Sequence, residues 1–181
     1  MHPSRRALRA SALAAPLFLS TVASSIAQDE PQVFNAFATV EAEGTIVRAA
    51  DKQYFVTGTL TGRFYVETAE GPVDGGFVTC AASARLDMAT ARTDGQGACT
   101  FTAHDGATAF GDWRCEGYQL VGCRGVFRLA GGTGRFDGAV GQSTFVWRPN
   151  AQEMRARMED STIDGAAGLL LWRDFEVSRK K

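Results

Sequence analysis

Between Phe127 and Phe145 the chain reads FRLAGGTGRFDGAVGQSTF, a glycine-rich connection set between two segments of alternating character. Val126, Arg128 and Ala130 alternate with Gly125, Phe127 and Leu129 before it, and Phe145 and Trp147 alternate with Thr144, Val146 and Arg148 after it. A period of two is what a strand needs, because successive side chains leave opposite faces of a sheet. No helical stripe follows the glycines, which separates this stretch from phosphate-binding loops. A dinucleotide fingerprint needs G-x-G-x-x-G opening a helix, and a P-loop ends in Lys followed by Ser or Thr. Gly132, Gly134 and Gly138 miss the first spacing, and Arg135 leads to Phe136 instead of a hydroxyl. Gly131, Gly132, Gly134, Gly138 and Gly141 therefore read as structural turn residues, supplying positive φ or close backbone approach in a strand-to-strand elbow.

The same period recurs along the chain. Tyr54, Val56, Gly58, Leu60, Gly62, Phe64 and Val66 share one face of a long segment, with Phe55, Thr57, Thr59, Thr61, Arg63, Tyr65 and Glu67 on the other. That pattern is a half-buried strand bent at its glycines. Further strand-like runs cover residues 33–40, 75–86, 98–103, 108–113, 121–130, 143–148, 153–163 and 169–177, with turn residues between them. The pattern predicts an all-β domain, a sandwich or, as the reading preferred here, a single antiparallel barrel. Its apolar inner face would collect Tyr54, Leu60, Phe64, Phe127, Leu129, Phe145, Trp147, Met154, Met158 and Phe175. Phe55, Tyr65 and Trp172 would face outward, where copies of the chain could assemble.

The N-terminus carries Arg5, Arg6 and Arg9, an Ala/Leu-rich run from Ala10 to Val22, and small residues at Ser25-Ile26-Ala27. This predicts a signal peptide over residues 1–27 and a β-barrel domain over 28–181, exported to the periplasm or the extracellular space. The apolar run is too short for a membrane span, which takes about twenty strongly apolar residues. The twin arginines leave both the folded-protein route and the ordinary export route open. Without residues 1–27 the chain has 16 basic against 20 acidic residues. That balance excludes a nucleic-acid partner, which needs a basic face to displace counterions from phosphate. The one basic cluster, Arg179-Lys180-Lys181, reads as a solvated tail.

Four cysteines behind an export signal read as two disulfides. Metal ligation needs close Cys pairs or several histidines, whereas the nearest spacing is Cys115 to Cys123 and only His104 follows residue 27. Turn positions supply the pairing. Centring one hairpin on Ala89 and Thr90 sets Cys80 opposite Cys99, which leaves Cys115 and Cys123 to close the short turn between them. Centring the next hairpin on Asp105-Gly106 sets Phe101 opposite Phe110 and Cys99 opposite Asp112. If Asp164-Gly165-Ala166-Ala167-Gly168 is the last hairpin loop, Met158 lies opposite Phe175, Ala156 opposite Val177 and Asp160 opposite Arg173, all on the apolar face. The outer face would then hold Arg157 with Glu176, and Glu159 would oppose Asp174, a like-charge pair.

Candidate chemistry is sparse. Asp112, Asp160 and Arg173 are the candidate catalytic groups, Asp112 because its expected face would bury a carboxylate and raise its pKa. The alternatives are a strand-end hydrogen-bonding role for Asp112 and a solvated rim ion pair for Asp160 with Arg173. His104 and Asp105 read as exposed hairpin-tip residues. No serine sits in a Gly-x-Ser-x-Gly context; Gly141-Gln142-Ser143 comes nearest and fails at its later positions. Asp94-Gly95-Gln96-Gly97 lacks the alternating acids of a calcium loop. No cofactor or metal is implied.

The motif GGTGRFDGAVG, preceded and followed by alternating strands, resembles the corresponding connection of the allene oxide cyclase and dirigent proteins. The resemblance implies an eight-stranded antiparallel barrel enclosing an apolar cavity that holds a reactive intermediate in one geometry. No catalytic residue is carried over, because that superfamily's cavity carboxylates have no matching motif in this sequence. Two functions follow as expectations: a binding or structural module for a small apolar ligand, or a cyclase or coupling-control protein acting on a hydrophobic intermediate. An apolar cavity of about 300 Å³ or more holding Asp112 or Asp160 would favour the second.

Overall fold

A computed structural model of the chain describes residues 30–151 and 161–180; the expected signal peptide over 1–27 and the segment 152–160 lie outside the described residues. Eight strands follow one another as β1 (Gln32–Ala50), β2 (Gln53–Thr68), β3 (Gly71–Asp87), β4 (Arg92–Thr102), β5 (Thr108–Tyr118), β6 (Gly122–Gly132), β7 (Ala139–Pro149) and β8 (Thr162–Arg179). Each pairs antiparallel with its sequence neighbours, and β8 returns to β1, so the sheet closes into a barrel. Closure leaves no strand edge to template association with another chain. Inward positions alternate with outward ones throughout, as the burial of Ala36, Ala38, Val40 and Ala42 along β1 illustrates.

Of the ten residues expected to face inward, Leu60, Phe127, Leu129, Phe145 and Phe175 are buried in the core, and Tyr54, Phe64 and Trp147 pack against it. Met154 and Met158 lie outside the described residues. The Ala89–Thr90 centring agrees with the observed register, which sets Cys80 directly opposite Cys99. Both cysteine pairs are in disulfide contact, Cys80 with Cys99 at a Cα separation of 4.0 Å and Cys115 with Cys123 at 5.4 Å. All four face the interior.

Three expectations are corrected. First, the β4–β5 hairpin has a three-residue loop, His104-Asp105-Gly106. The Ala103 N–H donates to the Ala107 carbonyl at 2.9 Å, and Gly106 takes φ +81°. A three-residue loop ending in a left-handed glycine shifts the pairing by one residue from a two-residue turn. Phe101 therefore opposes Ala109, Cys99 opposes Gly111, and Asp112 opposes Ala98 and Arg128. One residue of slip reverses a strand's faces, so Asp112 is exposed on the outer wall.

Second, Asp164 to Gly168 is no hairpin loop but lies inside β8. Gly165, at φ +67°, sits where the β1–β8 register shifts, and the pairing resumes with Ala166 opposite Ala42. The small residues here serve space as much as turning: Ala166 is fully buried, and a Cβ on Gly168 would meet the ring of Trp147. Phe175 consequently opposes Phe34, Val177 opposes Gln32 and Gly141, and Arg173 opposes Thr144, so these β8 residues take partners on β1 and β7 other than the expected last hairpin gave them. Ala156, Arg157, Met158, Glu159 and Asp160 themselves lie outside the described residues.

Third, Trp172 points inward. Asn35 on β1 faces two residues of β8, with Asp174 at φ +50° and its N–H donating to Asn35 Oδ1 at 3.0 Å. This bulge adds one residue to the strand. Trp172 and Phe175, three positions apart, thereby share the inner face, whereas Phe55 is outward and 39% exposed.

Candidate functional site

The interior is tiled by pairing large rings with missing side chains. A Cβ on Gly75 would meet the Phe64 ring, one on Gly111 the Phe127 ring, and one on Gly97 the Trp113 ring. Glycines at inward positions thus let aromatics from neighbouring strands lie across the wall. At mid-height Trp172, fully buried, has the rings of Phe64, Phe101, Phe127 and Phe145 around it, with centroids 5.2 to 6.1 Å away and edge-to-face geometry. This aromatic plug divides the lumen into two end cavities that share no lining residue.

The larger cavity, about 650 Å³, opens at the end carrying the glycine-rich elbow. The elbow forms a short 3-10 turn over Gly134–Phe136 and no longer helix. Gly134 at φ +57° and Gly138 at φ +69° adopt conformations that ordinary residues resist. Thr133 ties the elbow to β5 through its N–H on the Thr108 carbonyl at 2.7 Å and through paired hydroxyls at 2.8 Å. The result places Phe136 and Ala139 in the cavity wall beside Phe34, Phe101, Leu129 and Phe175. Arg135 and Arg179 border the rim. Arg179 Nη2 donates to the Arg135 carbonyl at 2.8 Å, while the Arg135 guanidinium covers the Phe136 ring at 5.0 Å and lies 3.6 Å from Asp105.

The smaller cavity, about 130 Å³, lies at the opposite end among Leu60, Ala82, Ala84, Trp113, Trp147 and Ile163. Trp113 Nε1 and Thr93 Oγ1 belong to residues lining it, and neither atom has a hydrogen-bond partner although both are buried. Ser143 Oγ and Trp172 Nε1 are likewise unpartnered within the barrel.

The described charged candidates, Asp112 and Arg173, sit outside this lumen. Asp112 lies opposite Arg128 on the outer wall, as Glu116 does opposite Arg124 and Asp94 opposite Arg85, while Asp94 and Glu116 also face each other across β4 and β5. Arg173 reaches over β1 to Glu67 of β2, with Nη1 3.1 Å from Oε2. His104 is exposed as a hairpin-tip residue, but it belongs to a surface cluster that the sequence did not flag. Its Nε2 is 3.3 Å from Asp74 Oδ1, and Arg63 Nη1 is 2.7 Å from Asp74 Oδ2. The Gly76 N–H hydrogen bond, with His104 and Arg63 adding, holds the Asp74 carboxyl below its ordinary value. The only sequence signal was Asp74-Gly75-Gly76, where the register between β2 and β3 shifts. Among the described residues no three His, Cys, Asp or Glu side chains converge in a metal-binding group.

The fold and its lumen define a closed antiparallel barrel with an apolar cavity at each end of an aromatic plug. No family model, curated protein or solved structure matches the chain.

Proposed function

We propose that this chain is an exported β-barrel module that binds a small hydrophobic molecule at the elbow end. The observation carrying this reading is the apolar cavity of about 650 Å³, which falls within the range of ligand sites. Phe34, Leu129, Phe136 and Phe175 supply the apolar walls, and Arg135 and Arg179 supply polar groups at the rim to fix an orientation. Export is supported by two cysteine pairs in disulfide contact, which persist in oxidising compartments. Kinship with the allene oxide cyclase and dirigent barrels is part of the proposal; the closed ring of eight strands and the elbow at a cavity lip support it. The cyclase reading has less support, because Asp112 faces away from the lumen.

Equilibrium uptake of the neutral dye N-phenyl-1-naphthylamine tests the proposal. The protein should bind the dye with enhanced emission, and Val177→Trp, which fills the cavity from a half-buried wall position, should abolish uptake with an unchanged circular dichroism spectrum. Absence of uptake by the wild type, or equal uptake by the variant, would overturn it.

A further inference from the structure

We infer that the outer wall over β3–β6 carries a site separate from the lumen, built for an acidic oligosaccharide: a short run of uronate sugars. A cleft of about 770 Å³ lies there on the outside of the barrel, with the half-buried Ser83 and Val126 in its lining. The register accounts for the hollow. Ser83, Gln96, Arg114 and Val126 form one row of outward positions across the four strands, and Arg85, Asp94, Glu116 and Arg124 form the next. The short side chains at the two ends of the first row stand beside longer ones, so the wall is indented there. Both disulfides lie beneath it, joining β3 to β4 and β5 to β6. The surface is thus held in shape before anything binds, which lowers the cost of ordering it.

The acidic character comes from the arginines. Arg85, Arg114, Arg124 and Arg128 line the cleft against two carboxylates, Asp94 and Glu116. All four arginines are exposed, and none has a hydrogen bond or ion pair among the described residues, although Arg85 and Arg124 each stand opposite a carboxylate in the ladder. Their N–H donors are open to an outside anion. Arg124 and Arg128 are four residues apart on β6, about 13–14 Å along the strand, and Arg114 lies opposite Val126, midway between them. This zigzag suits several carboxylates carried along one extended chain, each held by the two parallel donors of a planar guanidinium. The rest of the lining selects a sugar among polyanions. Phe55, exposed at the β2 side of the cleft, offers an apolar ring to the C–H face of a pyranose. Gln96 can donate and accept, and Asp94 and Glu116 can accept from sugar hydroxyls, whereas the same two carboxylates repel a phosphate polymer that has no hydroxyl to give them.

Tetragalacturonate, its neutral methyl ester and linear tetraphosphate are the probes, titrated calorimetrically at low salt. The acid should bind saturably and about tenfold more tightly than the ester, since hydrogen bonds to a charged group are worth about twice neutral ones. Arg114→Gln should weaken the acid about tenfold and leave the ester little changed. Phe55→Ala should weaken acid and ester alike and leave tetraphosphate unaffected. Both substitutions fall on exposed side chains, so the dichroism spectrum and naphthylamine uptake at the elbow end should be those of the wild type, and the two sites stand or fall separately. No saturable binding of tetragalacturonate, or binding unmoved by Arg114→Gln, would overturn the inference. Tetraphosphate binding as tightly as the tetrasaccharide, with Phe55→Ala altering neither, would overturn it equally and leave the cleft an unselective basic patch.

Discussion

Trp172 touches rings contributed by β2, β4, β6 and β7, and none of its surface reaches solvent. A closed wall cannot collapse onto the space its indole fills, so truncation would leave a void as well as remove apolar burial. Trp172→Ala is expected to cost about 3–5 kcal/mol, read as a lower urea midpoint at unchanged slope; a loss below about 1 kcal/mol would show that the rings repack instead. The side of the wall this residue occupies was not legible in the sequence. Parity from Phe175 sends Trp172 outward, and the extra residue that reverses it is an Asp at positive φ with no glycine to announce it. Phe127 and Phe145 were legible because they flank the elbow in uninterrupted alternation. Asp112 was misplaced for the opposite reason: its face depended on a count made across a turn.

At the level of elements, register is set by loop length, and loop length is what the sequence expresses least directly. Asp105-Gly106 announces a hairpin whether two residues or three span it, yet only the latter exposes Asp112. The β8 segment DGAAG announces a turn equally well, although its Ala166 and Gly168 make room for the β1 wall and for Trp147 while Gly165, in open space, takes the left-handed φ of the register shift. Two glycines separate these meanings. Gly106 has open space around it and φ +81°, so Gly106→Ala should cost only the backbone penalty, about 1 kcal/mol. Gly97 has an ordinary φ but no room, since a Cβ there would meet the Ala81 carbonyl and the Trp113 ring. Gly97→Ala should cost more and perturb the near-ultraviolet dichroism of the tryptophans, a change absent from Gly106→Ala. Equal losses with the same spectral change would refute the distinction.

The whole molecule was the most legible scale: alternation gave an all-β chain, although the strand-like segments numbered nine and a ring of eight was expected only from the resemblance of the elbow motif. The strand starting at Thr162 was obscured because its first half reads as a turn. Both cystines staple the β3–β6 side of the ring, while β7, β8, β1 and β2 carry no disulfide. Removing Cys80 and Cys99 together as alanines should destabilise the fold by about 3 kcal/mol, and removing Cys115 and Cys123 by somewhat less, because the sequence separations are 19 and 8. Thermal unfolding of the two double variants checks the order, and a reversed order would place the main effect in the native state rather than in the unfolded chain.

The ring of aromatics around Trp172 also settles how anything can travel through this protein. With its middle stoppered, the barrel is a pair of cul-de-sacs and not a conduit. Whatever enters must back out through the same doorway, so residence time is governed by one opening alone and traffic at either end proceeds without queueing behind the other.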